Sequence, residues 1–223
     1  MTDNLRALLV LTSHDDLGGV RKTGFYLGEA AEPWQVLVDA GHRVDLASIK
    51  GGRPPEDGRD DDDATQRAFL DDAHIAAQLA DTQRLADVDP DDYGVVFFVG
   101  GHGTMWDFPT SPDVDRVGRG VYEAGGVVAA VCHGPAALTN ITLSNGEPLV
   151  SGKRVAGFTN SEEAAAGLTD VVPFLLADRL TQLGATHVPG PDFTENVVAD
   201  GRLVTGQNPQ SAAGVARAVL DAR

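Results

Sequence analysis

Residues 93–99, YGVVFFV, run almost wholly apolar into Gly100-Gly101. Successive side chains of a strand point to opposite sides, so a strand with one wet face alternates polar and apolar. This run does not alternate. It needs cover on both faces, as strands have inside a parallel sheet flanked by helices. Val127–Val131 (VVAAV) and residues 7–12 (ALLVLT) repeat the pattern. Three such strands commit the chain to a sheet buried from both sides.

The intervening stretches supply the covers. From Thr23, apolar residues Phe25, Leu27, Ala31, Trp34, Leu37 and Val38 recur at helical spacing until Gly41 stops them. Residues 43–48 and 153–157 read as further strands, and 69–85, 114–124, 134–140, 171–183 and 209–222 as helices. Residues 196–198 and 203–205, joined around Asp200-Gly201, read as a hairpin. Strands alternating with helices predict an α/β fold: a doubly wound, mostly parallel sheet with helices on both faces, a flavodoxin-like sandwich with a small β-hairpin near the C-terminus. No repeat or long linker divides the chain, so residues 1–223 read as one domain.

Charge narrows the partners. With 33 acidic against 17 basic side chains the formal net charge is −16, which disfavours nucleic acid and anionic membrane surfaces. The acidic run at residues 60–63 reads as a solvated loop entering a helix, with no histidine nearby to suggest a metal. No run of 18 apolar residues appears, and residues 1–16 read as a first strand, not a signal peptide. Cys132 is the single cysteine, so no disulfide forms within the chain. A cytoplasmic protein with a free thiol is expected.

That cysteine sits where open α/β sheets do their chemistry, just beyond the carboxyl end of a strand. A lone buried cysteine is ordinarily a small hydrophobe. Here Ala130 and Gly134 flank Cys132 at two residues on either side, the small-x-nucleophile-x-small spacing of a nucleophile elbow. Pro135 suits a helix first turn, and a helix start would lower the thiol pKa. His133 follows directly, either beside the nucleophile as a proton carrier or as a polar cap. In the parallel turn FVGGHG, the glycines permit close backbone approach. The amides of Gly101 and His133 are thus candidate oxyanion donors. His102 either lines the pocket or lies on the surface.

Five blocks, KTGFYLGEAAEPW (22–34), FFVGGHGTMWDFP (97–109), AAVCHGPAAL (129–138), GFTNSEEAA (157–165) and GRLVTGQNPQSA (201–212), resemble the PfpI/ThiJ branch of the class I glutamine-amidotransferase-like superfamily. Within it the chain is most similar to the heat-shock chaperone and glyoxalase III-like group. The resemblance implies that Glu29 is the acidic residue bonded to the nucleophile thiol. It places the carboxylate orienting the histidine on Glu163, with Glu162 the neighbouring alternative. It implies a homodimer without cofactor. Larger bacterial chaperone members have a two-histidine, one-carboxylate metal site; no matching constellation is evident in the sequence, and no metal is expected.

The implied reaction converts methylglyoxal or another small 2-oxoaldehyde to a 2-hydroxy acid through a cysteine hemithioacetal, without glutathione. A glutamine amidotransferase would place its histidine far downstream in an H-x-E segment. The histidine downstream of His133 is His187, with no glutamate two residues on. Other readings are a protein deglycase or peptidase using the same cysteine, and a holdase chaperone, whose partners would be glycated or unfolded protein.

Overall fold

The computed structural model describes residues 6–222. The first half runs β1 (Arg6–Leu11), β2 (Phe25–Tyr26), α1 (Leu27–Asp39), β3 (Arg43–Ser48), β4 (Glu56–Asp57), α2 (Ala64–Asp71), α3 (Ala73–Ala80) and β5 (Gln83–Arg84). It continues with β6 (Val95–Phe98), α4 (Thr104–Asp107), α5 (Pro112–Glu123), β7 (Val127–Val131), β8 (Arg154–Val155) and α6 (Asn160–Ala165). The last elements are α7 (Leu176–Gln182), β9 (Thr186–His187), β10 (Val197–Asp200), β11 (Leu203–Gly206) and α8 (Ala212–Asp221).

Seven strands form one sheet in the order β10-β11-β7-β6-β1-β3-β5. All neighbours are parallel except the β10–β11 hairpin. The chain leaves β1 toward β3 on one side and returns to β6 on the other, so the topology reverses between β1 and β6. That reversal opens a crevice at the strand ends, where ligands of such sheets bind. The residues of β1 after Arg6, and all of β6 and β7, are buried, as the unbroken apolar runs require. In α5 the buried Val114, Val117, Gly118 and Val121 form one stripe against the sheet, and Ser111 caps its start through the Val114 amide. No described helix is long and apolar enough to cross a membrane.

Several elements differ from the sequence expectation, and α1 begins only at Leu27 because Phe25–Tyr26 pair with β4. The helix expected over residues 69–85 is two helices and an edge strand, because Asp72 turns extended and accepts from the His74 and Ile75 amides as the cap of α3. Asp63 likewise caps α2, which accounts for the acidic run. Residues 171–175 stay outside α7, since Pro173 disfavours helical backbone before it. The strand expected over 153–157 shrinks to β8. The stretch after the cysteine is a short 3₁₀ helix, Gly134–Thr139, instead of an α-helix.

Candidate active site

Cys132 leaves β7 with φ +59°, left-handed backbone that a side chain strains to adopt. Bonds on both sides hold it there: its amide donates to Gly206 O at 3.0 Å, and its carbonyl accepts from the Phe158 amide at 2.9 Å. The turn has no room for larger neighbours, since a Cβ on Gly134 would stand 2.2 Å from Phe98 O. This is the elbow that the spacing predicts.

His133 lies beside the sulfur, its Nδ1 3.4 Å from Cys132 Sγ. On its far side Nε2 meets Glu163 Oε2 at 2.7 Å. Phe158 packs on the imidazole with centroids 4.3 Å apart. Burial, with His102 adding to it, brings His133 down to about 4, so the ring is neutral at neutral pH. Burial by itself raises Glu163, but hydrogen bonds from His102 and His133 outweigh it and bring the carboxyl down to about 2. An ionised Glu163 therefore accepts Nε2–H and leaves Nδ1 free to take the thiol proton.

Glu29 sits on the first turn of α1, fully buried. Neither carboxyl oxygen has a hydrogen-bond partner; the Cys132 thiol and the Gly100 amide are the polar groups facing it. Burial pushes this carboxyl well above its usual range, which favours its neutral form. Gly100 makes the approach possible: a Cβ there would lie 2.2 Å from Glu29 Oε2 and 3.0 Å from Cys132 Cβ. Burial also pushes the Cys132 thiol up, as would a charged Glu29, while the His133 amide acts the other way. This departs from the expected lowering, because a 3₁₀ stretch of six residues gives little of the dipole that an α-helix start would supply. Burial therefore favours the protonated thiol at Cys132, with the His133 Nδ1 the nearest group able to accept its proton.

A model of the DJ-1/PfpI family matches residues 20–222. The chain belongs to the DJ-1/PfpI family. It is 35% identical to Glyoxalase 3 of Candida albicans, with 98% of each protein covered. It is 33% identical to the glutathione-independent glyoxalase HSP31 of Saccharomyces cerevisiae, with 97% of each covered. The crystal structure of Candida albicans glyoxalase III superposes with a TM-score of 0.90 at 34% identity, covering 98% of this chain and 97% of that one. The Rapid Encystment Protein 24 KDa of Francisella tularensis gives a TM-score of 0.94 at 38% identity, with 98% of each chain covered.

Within this family frame the structure brings together Cys132, His133, Glu29 and Glu163. His102 is neither a surface residue nor simply a pocket wall. Its Nε2 meets the other oxygen of Glu163 at 2.9 Å, and its ring lies 4.0 Å from that of His133. His102, His133 and Glu163 thus form a cluster of two histidines and one carboxylate, with ligand atoms within 4.8 Å of one another. A cation could enter it only by displacing both Nε2–H bonds to the carboxylate. Gly101 has φ +102°, and a Cβ there would strike Gly24 O at 2.3 Å, so its small size also serves backbone packing.

Glu162 is no exposed charge. It is buried, closes a capping box with Thr159, and accepts from the Phe193 amide and from Asn208 and Gln207. An open cavity of about 650 Å³, lined by Phe25, Arg53, Arg59 and Leu79 among others, lies elsewhere and includes none of Cys132, His133, Glu29, Glu163 and His102.

Proposed function

We propose that this chain is a glutathione-independent glyoxalase, converting methylglyoxal or a related small 2-oxoaldehyde to the 2-hydroxy acid. The observation that carries the reading is a buried, unpartnered Glu29 carboxyl, its pKa raised by burial, facing a thiol whose other neighbour is a neutral imidazole. Glutathione-dependent chemistry would borrow a thiol from solution; here Cys132 supplies it. The whole-length similarity to named glyoxalases supports the same reading.

His133 takes the thiol proton and the sulfur adds to the aldehyde carbon, while Glu29 gives its proton to the aldehyde oxygen. The product is a hemithioacetal, and Glu29 is now a carboxylate beside the former aldehyde C–H. It removes that proton; the imidazolium protonates the ketone oxygen, giving an enediol. Glu29 returns the proton to the second carbon, and the first hydroxyl gives up its own to the carboxylate, leaving a 2-hydroxyacyl thioester. Water activated by His133 hydrolyses it, restoring the thiol. The amides of His133 and Gly101 are the proposed donors to the developing oxyanion.

The test is lactate formation from methylglyoxal with glutathione absent. Wild type should form it and Cys132→Ala should not; a wild-type protein that forms none overturns the proposal. Suppression of aggregation by Cys132→Ala, without lactate formation by the wild type, would favour a holdase. Among the described residues, exposed large apolar side chains are limited to Val20, Val38 and Phe193, a small surface for that role.

A further inference from the structure

Two non-glycine residues in the described chain have left-handed backbone: Cys132, and Phe193 with φ +54°. For a bulky aromatic this conformation is strained, and such strain collects at ligand clamps and active sites. Phe193 is also 46% exposed. A strained and exposed aromatic is costly on both counts, yet the surrounding structure fixes it firmly. Buried Glu162 accepts its amide at 2.8 Å, and Asp192 beside it accepts from Ser161 Oγ at 2.7 Å. Asn208 Nδ2 holds the next carbonyl, Thr194 O, at 2.8 Å.

The ring connects to the site through Phe158. Phe193 meets Phe158 edge-on, with centroids 6.3 Å apart at 65°, and Phe158 lies on His133. An aromatic row therefore runs from the imidazole beside Cys132 out to solvent, its outer ring exposed. We infer that Phe193 is a specificity-determining wall for the substituent of the 2-oxoaldehyde, favouring a flat aryl group over methyl. The inference rests on the glyoxalase reading for its substrate. A methyl group offers little surface to such a wall, whereas an aryl ring gains both apolar burial and ring–ring contact.

The experiment compares wild type with Phe193→Gly, which removes the ring and suits the positive φ, and with Phe193→Leu, which keeps an apolar side chain without the ring. The first readout is the ratio of kcat/KM for phenylglyoxal to that for methylglyoxal. The second needs no turnover: the ratio of Cys132 alkylation rates by N-benzyliodoacetamide and iodoacetamide. Both ratios should fall in Phe193→Gly, by about tenfold, and fall less in Phe193→Leu. Unchanged ratios overturn the inference, as does an equal fall in both members of each pair, which would make Phe193 a loop-bracing residue. Should wild type form no lactate, the glyoxalase proposal fails while the alkylation ratios still decide the role of Phe193.

Discussion

Replacing Glu163 by Gln tests how the imidazole is set. The carboxylate accepts from two histidines at once, at 2.7 Å from His133 and 2.9 Å from His102. An amide of the same shape has one acceptor and one donor face. With its oxygen toward His102, its NH₂ faces His133 Nε2, which must then give up its proton. That proton moves to Nδ1 and points at Cys132 Sγ, so the ring can no longer accept from the thiol. With the amide flipped, His133 keeps its tautomer but loses the negative charge that stabilises its protonated form. Either way kcat should fall by about 10²–10⁴-fold with little change in KM. Stability should fall too, because a carboxyl brought from 4.5 to about 2 favours its charged form by about 3 kcal/mol. A depressed folded-state pKa stabilises the fold above pH 4.5, and the contribution is lost as pH falls through about 2. Lactate assays give the rate, urea unfolding at pH 7 the stability, and ¹⁵N shifts of His133 the tautomer. A kcat within about threefold of wild type would refute the assignment of Glu163 as the imidazole's anchor.

Glu29→Gln should fold but lose nearly all 2-oxoaldehyde turnover, by about 10²–10⁴-fold, since an amide cannot carry the proton; a rate within about threefold of wild type removes Glu29 from the mechanism. A raised carboxyl pKa makes wild-type stability fall as pH rises above 4.5, so the variant should gain relative to wild type over that range; urea midpoints that stay parallel as pH rises from 4.5 would contradict this. Because turnover needs neutral His133, activity should stay level on acidification from neutral pH and drop only as pH falls through about 4, and a kcat/KM limb near 6.5 would show the imidazole is not depressed. Glu162→Ala strands the buried donors of Asn208, Gln207 and Phe193 and should cost about 2–4 kcal/mol in urea unfolding, with a cost under 0.5 kcal/mol counting against it.

The sheet was legible because its strands are buried on both faces, and nothing else in a sequence looks like FVGGHG following YGVVFF or CHGP following VVAAV. The elbow was legible for the same reason: a cysteine between such a strand and a Gly-Pro turn has few alternatives. The break at Asp72 was not, because its cause is one side chain choosing a cap over the helix interior, which apolar periodicity does not register. His102 could be placed on a glycine-rich turn but not paired, since its partner Glu163 lies 61 residues on and meets it only through the fold. Glu29 and Glu163 came from family resemblance; as letters they are two glutamates among 33 acidic residues. In the sequence the FVGGHG glycines point to close backbone approach, whereas for Gly100 the structure gives a sharper reason, clearance for the Glu29 carboxyl.

The two glutamates show how one residue type serves opposite ends of a reaction. Glu29 lies in the first turn of α1, where a helix dipole favours a negative charge by about 0.3–1 kcal/mol. It has no cation beside it and no hydrogen-bond partner, and an ionised carboxylate buried that way costs several kcal/mol. Burial outweighs the dipole and raises the Glu29 carboxyl toward its neutral form. Glu163 is also buried, yet two Nε2–H donors converge on it and the ionised form wins. The proposed reaction needs this asymmetry. A charged Glu29 would repel the forming thiolate and have no proton for the aldehyde oxygen; a neutral Glu163 could not steady the imidazolium that forms when the thiol is deprotonated. The second histidine therefore matters to the site: by sharing Glu163 with His133, His102 helps hold that carboxylate ionised while Glu29, with no such donors, stays neutral.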